Sequence, residues 1–402
     1  MIEAHIHEWL NLVVRWIHMI TGIAWIGASF YFNWVEGQLN RRGPNPPGIA
    51  GDLWAVHGGG FYHSQKYQVA PEKLPEKLHW FKWEAYMTWV SGMALLVIVY
   101  FWQAEAYMVD PAVADLSGWQ AIAINLGAML LGWLIYDQLC RSPFGQHNDW
   151  MLYLFIVSLP IVAWGLGQFL SGRATYITVG GIIGSMMVGN VFFVIIPVQK
   201  KMVGAMLAGD PPDGQMGKQG LQRSRHNNYL TLPVLLIMIS NHFPSTFGHS
   251  YHWLILGSLS VIGIVVKHYF NLRHQGNPPI WLLPSAALAT VAVVILSGPW
   301  MRETTVSAQM VSDNQAMSIV QRHCTSCHAN MPTPTRFFCS PEGCCPGDCR
   351  PSPKIRYSGT GSGSNIAHNA PGKYDGHDPG RAQSIGWMAS TTSLMVKFQF
   401  LK

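Results

Sequence analysis

The chain has 402 residues, of which 11% are charged and 49% hydrophobic, with a formal charge of +6. Soluble domains average about 25% charged residues, so this is not the composition of an ordinary soluble enzyme. The cations are sparse and no basic run is interleaved with aromatics, which excludes a nucleic-acid-binding footprint.

The length allows two or three domains. The start, Met1 to Glu8, carries His5, His7 and two acids without a positive n-region, so no cleavable signal peptide is expected. Apolar stretches then recur at about 11–34, 83–103, 119–139, 151–171, 175–198, 229–247, 251–271 and 280–300. Each is long enough to cross about 30 Å of hydrocarbon, which predicts eight transmembrane helices. The sixth is interrupted by Asn241, His242 and Pro244. Aromatics such as Trp34, Trp83, Trp102, Trp119, Tyr251 and Trp300 stand at stretch ends, as in an interfacial belt.

Lysine and arginine orient these spans. The first connection holds Arg41, Arg42, Lys66, Lys73, Lys77 and Lys82, and the second holds none. Arg141 lies in the third and Arg173 in the fourth. The fifth has Lys200, Lys201, Lys218, Arg223 and Arg225, the sixth has none, and the seventh has Arg273. Basic connections face the cytoplasm. The odd ones are therefore expected inside a bacterial inner membrane, with both chain ends in the periplasm.

Two connections are long enough to carry function. Residues 37–82 contain His57, Gly58-Gly59-Gly60, His63 and His79; residues 199–228 carry the second basic cluster. The histidine spacing matches no metal-ligand pattern, and the glycines read as a flexible turn or as backbone donors for an anion. Within the spans, ionisable side chains are costly and point to function. His18, one turn from Arg15, and His242 fall at matched depth in the periplasmic third. They either bracket a b-type haem or hydrogen-bond neighbouring helices. His249 and His252 are rival ligands, while Lys267 and His268 are expected to snorkel.

After a polar linker comes Cys324-Thr-Ser-Cys327-His328, the c-type haem attachment pattern. Two thiols form thioethers to the porphyrin vinyl groups and His328 ligates the iron axially. A zinc half-site is the alternative, since Cys339, Cys344, Cys345 and Cys349 follow. Covalent haem attachment occurs in the periplasm, which agrees with the topology from the lysine and arginine count.

The chain resembles the bacterial membrane-bound urate oxidases (urate hydroxylases) that end in a cytochrome c domain. The resemblance covers about residues 1–330. It is carried by Trp16-Ile-His18-Met-Ile-Thr-Gly22-Ile-Ala-Trp25-Ile-Gly27-Ala-Ser-Phe-Tyr31, by His57-Gly-Gly-Gly-Phe-Tyr-His63 and by Lys73-Leu-Pro-Glu-Lys-Leu-His79-Trp-Phe-Lys-Trp-Glu84. It implies oxidation of urate to 5-hydroxyisourate in purine degradation, with electrons leaving through haem c to a periplasmic or membrane acceptor. It brings no catalytic residues with it beyond the haem motif.

The tail departs from that pattern. Of the methionines after His328, Met331 is too close to reach round the haem, and neither Met388 nor Met395 precedes proline. Permitted codons for His368 to Met388, read one base later, spell a Met-Pro loop and an amphipathic helix. A frame slip near Thr335 is therefore expected, and sequencing the coding DNA across 330–345 checks it.

The expected architecture is all-α: a polytopic membrane bundle (1–300), a linker (301–320) and a small, truncated or frameshifted class I cytochrome c domain (321–402), aberrant after about 335. The expected function is urate oxidation, the alternative being a membrane electron-transfer subunit without its own organic substrate. Expected cofactors are covalent haem c and, on the bracketing reading of His18 and His242, haem b. Urate, an electron acceptor and the lipid bilayer are the expected partners.

Overall fold

The computed structural model describes residues 2–298 apart from 44, 275 and 277. The linker, the haem motif Cys324, Cys327 and His328, and the tail lie outside the described residues.

The first helix, α1, runs Ile2–Gln38. A β-hairpin follows, β1 Ile49–His57 and β2 Gly60–Tyr67, with His57 opposite Gly60. Next come α2 Trp83–Leu95, continued by a π-helical segment Leu96–Phe101, and the short α3 Ala104–Tyr107. Helices α4 Gly118–Arg141, α5 Asn148–Leu166 and α6 Gly172–Gly189 come after these. A second π-helical segment, Asn190–Ile195, joins α6 to α7 Ile196–Leu207. The chain continues through α8 Gly214–Ser240, the single turn α9 Pro244–Phe247, α10 His252–His274 and α11 Leu282–Leu296.

The described residues are mostly helical, and each of the eight apolar stretches coincides largely with helical segments. Five helices are long and apolar enough to cross a membrane by length and composition: α1, α2 with its π segment, α4, α6 through α7, and α10. Helices α5 and α11 are apolar but shorter. Helix α8 is long enough, yet its first half is polar. Large apolar side chains face outward along α4, α5 and α11, among them Leu130, Leu134, Val157, Ile161, Leu288 and Val294. Helices apolar on every face suit a buried or lipid setting, so these surfaces are compatible with membrane insertion.

The structure corrects three expectations. The chain is not purely helical, because residues 37–82 contain the hairpin. Gly58 and Gly59 sit at its tip with φ of 57° and 81°. Two successive residues at positive φ make the turn whose twist matches a tight hairpin, so the glycines form a fixed turn. Residues 199–228 are not a loop either: α7 runs to Leu207 and α8 starts at Gly214. The sixth stretch is likewise not one continuous helix, since α8 stops at Ser240 and Pro244 begins α9.

Helix ends are set by local chemistry. Ser117 caps α4: its Oγ accepts from the Gln120 N–H (3.4 Å), and Gln120 Oε1 accepts from the Ser117 N–H (2.8 Å). Ser117→Ala is expected to cost about 1 kcal/mol, read as a lower thermal midpoint of the detergent-solubilised protein with no change in helix content. Ser171 caps α6 by its hydroxyl alone, Oγ accepting from the Ala174 N–H. In the interior, Gly257 on α10 lies against Pro160, where a methyl group would stand only 2.8 Å from the proline ring. That close approach lets α10 pack on α5 despite the proline in its middle. The fully buried centre includes Met108, Met151, Leu170, Ile183, Met187, Leu230, Leu256 and Ile264.

Candidate functional site

A cavity of about 800 Å³ lies between the end of α4, the π segment with α7, and the first half of α8. This volume falls within the range of ligand pockets, roughly 300–1,000 Å³. On α8, Gln215, Lys218, Gln219, Gln222 and Arg225 recur at three- and four-residue spacing, which puts them on one face. Facing them are Phe193, Val194, Pro197, Val198 and Lys201, while Cys140 and Arg141 close the α4 side. Five cations, Arg141, Lys201, Lys218, Arg223 and Arg225, line the cavity, and no acid does among the described residues.

The cations form two layers. Arg141, Lys201, Lys218 and Arg225 are exposed at the rim, whereas Arg223 is buried, with only 4% of its surface exposed. Arg223 Nη2 donates to Asp137 Oδ1 (2.6 Å), and Arg141 Nε donates to Asp137 Oδ2 (2.8 Å). One carboxylate therefore serves two guanidinium groups from behind the wall. Five cations against one acid leave a strong positive excess at the mouth.

Behind this pair the hydrogen bonds run in one direction. Arg223 Nη1 donates to Asn190 Oδ1 (3.1 Å), and Asn190 Nδ2 donates to the Tyr136 hydroxyl (2.9 Å) and to Asn227 Oδ1 (2.8 Å). The Tyr136 hydroxyl in turn pairs with His226 Nδ1 (2.8 Å), and Cys140 Sγ lies 3.7 Å from the same nitrogen. His226 Nε2 is buried without a hydrogen-bond partner among the described residues. The network centres on Asn190, the first residue of the second π segment and completely buried. π-Helical turns often mark functional positions in helices. Here the wider turn takes in both Asn190, in the network, and Phe193, on the cavity wall.

The basic residues of the 199–228 cluster meet in this cavity, apart from Lys200, and Arg141 joins them. Asp137, Tyr136, Asn190 and the three glutamines were not anticipated. The available signal was Asp137 itself, an acid inside an apolar stretch and four residues before Arg141.

The anticipated histidines are distributed differently. His18 on α1 is partly buried against α2, with Nδ1 3.0 Å from both the Thr88 carbonyl oxygen and Ser91 Oγ. His242 is exposed in the turn after α8. His249 is buried, and its Nδ1 accepts from the Tyr251 N–H (3.0 Å). His252 is half-buried, with Nδ1 unpartnered among the described residues. Near Asn241, Arg173 stacks over Tyr107 (4.5 Å) and donates to Asn241 Oδ1 (3.3 Å), which also accepts from Tyr100 (2.6 Å). In the hairpin, His63 stacks on Trp54 (4.3 Å) and bonds Asp52 (2.8 Å). His79 packs edge-on to Phe81. No group of three or more His, Cys, Asp or Glu side chains is placed to hold a metal among the described residues.

Lys267 does not snorkel. It is buried, with Nζ 3.7 Å from the centre of the Phe30 ring, and His268 Nδ1 pairs with the Tyr229 hydroxyl (2.8 Å).

Comparison with protein-family models matches residues 4–298 to the family described as urate oxidase N-terminal. No curated protein and no solved structure matches the chain.

Proposed function

We propose, on the premise that this chain belongs to the urate oxidase N-terminal family, that it oxidises urate to 5-hydroxyisourate within a membrane and passes the electrons to a respiratory acceptor. The observation that carries the reading is the cavity with five cations and, among the described residues, no acid in its lining. At neutral pH urate is a planar anion with alternating N–H and C=O groups on its edges. Guanidinium and ammonium groups attract its charge. Carboxamides donate and accept at once, so Gln215, Gln219 and Gln222 can follow its edges, and the Phe193 ring offers a flat face.

The reaction consumes urate and one water and yields 5-hydroxyisourate, two protons and two electrons. The rim cations steer the anion inward, and the buried Arg223 is held in orientation by Asp137 and Asn190. The protons leave through the open mouth. A c-type haem held by Cys324, Cys327 and His328 would supply one-electron acceptance, taking the pair singly, so hydrogen peroxide is not an obligatory product. By the lysine and arginine count the cavity opens to the cytoplasm and the haem motif lies in the periplasm.

The test is charge reversal at the rim. Lys201→Glu with Lys218→Glu is expected to lower kcat/KM for urate about tenfold at low salt, mostly through KM, with the difference shrinking as salt is added. An unchanged KM removes the cavity as the urate site. Membranes given urate as sole reductant separate the two functional classes. Haem reduction by urate supports the oxidase, and reduction only by a quinol supports an electron-transfer subunit.

A further inference from the structure

We propose that His18 and His242 hold the iron of a second, non-covalent porphyrin, seated between α1 and the end of α8. Its role as an electron relay rests on the urate reading; its occupancy does not.

The tautomer of His18 carries the argument. Its Nδ1 faces the Thr88 carbonyl oxygen at 3.0 Å, and a carbonyl can only accept. Ser91 Oγ, also at 3.0 Å, spends its hydrogen on the Met87 carbonyl (2.6 Å), so it too is an acceptor toward the ring. Nδ1 therefore carries the proton, and Nε2 presents a lone pair. Metal-binding histidines almost always show this arrangement, the second nitrogen donating to a carbonyl and fixing ring orientation. The imidazole is also held close on α2: a methyl group at Gly92 would lie 3.0 Å from His18 Cε1.

The rival pair fails the same criterion at one member. His249 Nδ1 accepts from a backbone N–H, so Nε2 bears the proton and has no lone pair to offer. His242 has no such constraint, since its ring makes no hydrogen bond among the described residues.

Register brings His242 level with His18. Helices α1 and α10 run parallel, with Phe30 beside Lys267 and Gly37 beside His274. Helix α8 is antiparallel to α10, with Asn228 bonded to Asn271 and Leu232 against Gly263. Helices α1 and α8 are therefore antiparallel, and they meet where Met238 Cε closes over Gly22. His18 lies one turn before Gly22 and His242 one turn after Met238, so both reach the same level. Cations stand nearby for the two porphyrin carboxylates. Arg15 is one turn from His18 on α1, and Arg173, bonded to the neighbouring Asn241, has no carboxylate partner among the described residues.

The test is the haem content of the full-length protein purified from haem-sufficient cells, partitioned with acidified acetone. Covalent haem stays with the polypeptide and non-covalent haem is extracted. About one extractable haem per chain is expected, lost in both His18→Ala and His242→Ala, whereas His249→Ala retains it. Gly92→Val should lower occupancy by crowding the His18 ring. If the wild type yields no extractable haem, or if His18→Ala keeps a full equivalent, the site does not exist. Because occupancy is counted without urate, a chain that binds this haem but does not turn urate over leaves the site standing and removes only its relay role. Size-exclusion behaviour and thermal midpoint, compared between His18→Ala and His249→Ala, separate loss of ligand from loss of fold.

Discussion

Arg223→Met is expected to abolish urate turnover, by 100-fold or more, and to destabilise the protein by about 3–5 kcal/mol, the usual cost of stranding one partner of a buried ion pair. Asp137 would be left with Arg141 alone, whose side chain is 64% exposed. Asn190 Oδ1 would lose its donor at the same time. A second substitution separates the two effects. Replacing the pair together, Asp137→Leu with Arg223→Met, removes the stranded charge, and such swaps are often neutral for stability. The double variant should therefore recover most of the lost thermal midpoint and none of the turnover. Recovery of turnover would mean that the guanidinium acts on folding alone and never meets the substrate.

Gly172→Val should prevent accumulation of folded protein. Gly172 opens α6, and a side chain there would collide with the backbone carbonyl of Phe247 and stand 3.2 Å from His252 Cγ. The obstacle is main chain, which cannot swing aside as a side chain can. The α5–α6 turn and the short α9 would have to separate, a change in the range above 4 kcal/mol that marks gross disruption. Gly184→Ala serves as the control, because no atom of the described residues lies within 4 Å of the added methyl group. Yield after detergent extraction and the thermal midpoint are the readouts, and a Gly172→Val protein as stable as the control would refute the packing.

The helices were legible because an apolar run of about 20 residues leaves the backbone little choice but to bond to itself. The hairpin was hidden for a different reason. Its strands carry His, Trp, Asp and Lys with little alternation, so only the paired glycines at 58 and 59 announced it, and a glycine pair also fits a loose turn. The cavity was half legible. Lys201, Lys218, Arg223 and Arg225 lie close in sequence and form one basic cluster there. Arg141 and Phe193 join them only because α4 and the π segment pack against α8. Asp137 stands out as an acid inside an apolar run, but its role depends on a guanidinium 86 positions away. His18 could be singled out from sequence, but which of its nitrogens was free could not, since that is decided by a carbonyl on another helix.

The two π-helical segments have a consequence for how this protein tolerates change. Each is an ordinary α-helix with one residue too many in a turn. Deleting a single residue from 190–195 would relax that turn to α, and because the wide turn absorbs the surplus residue, the helix beyond it would keep its facing. The loss would be local: Asn190 and Phe193 would no longer share one widened turn, the first in the buried network and the second on the cavity wall. The same excision within 96–101 would likewise leave α3 facing as it does. Each segment thus confines an extra residue to a single turn, and lineages descending from this sequence should be able to shed that codon without re-aiming the helices that follow.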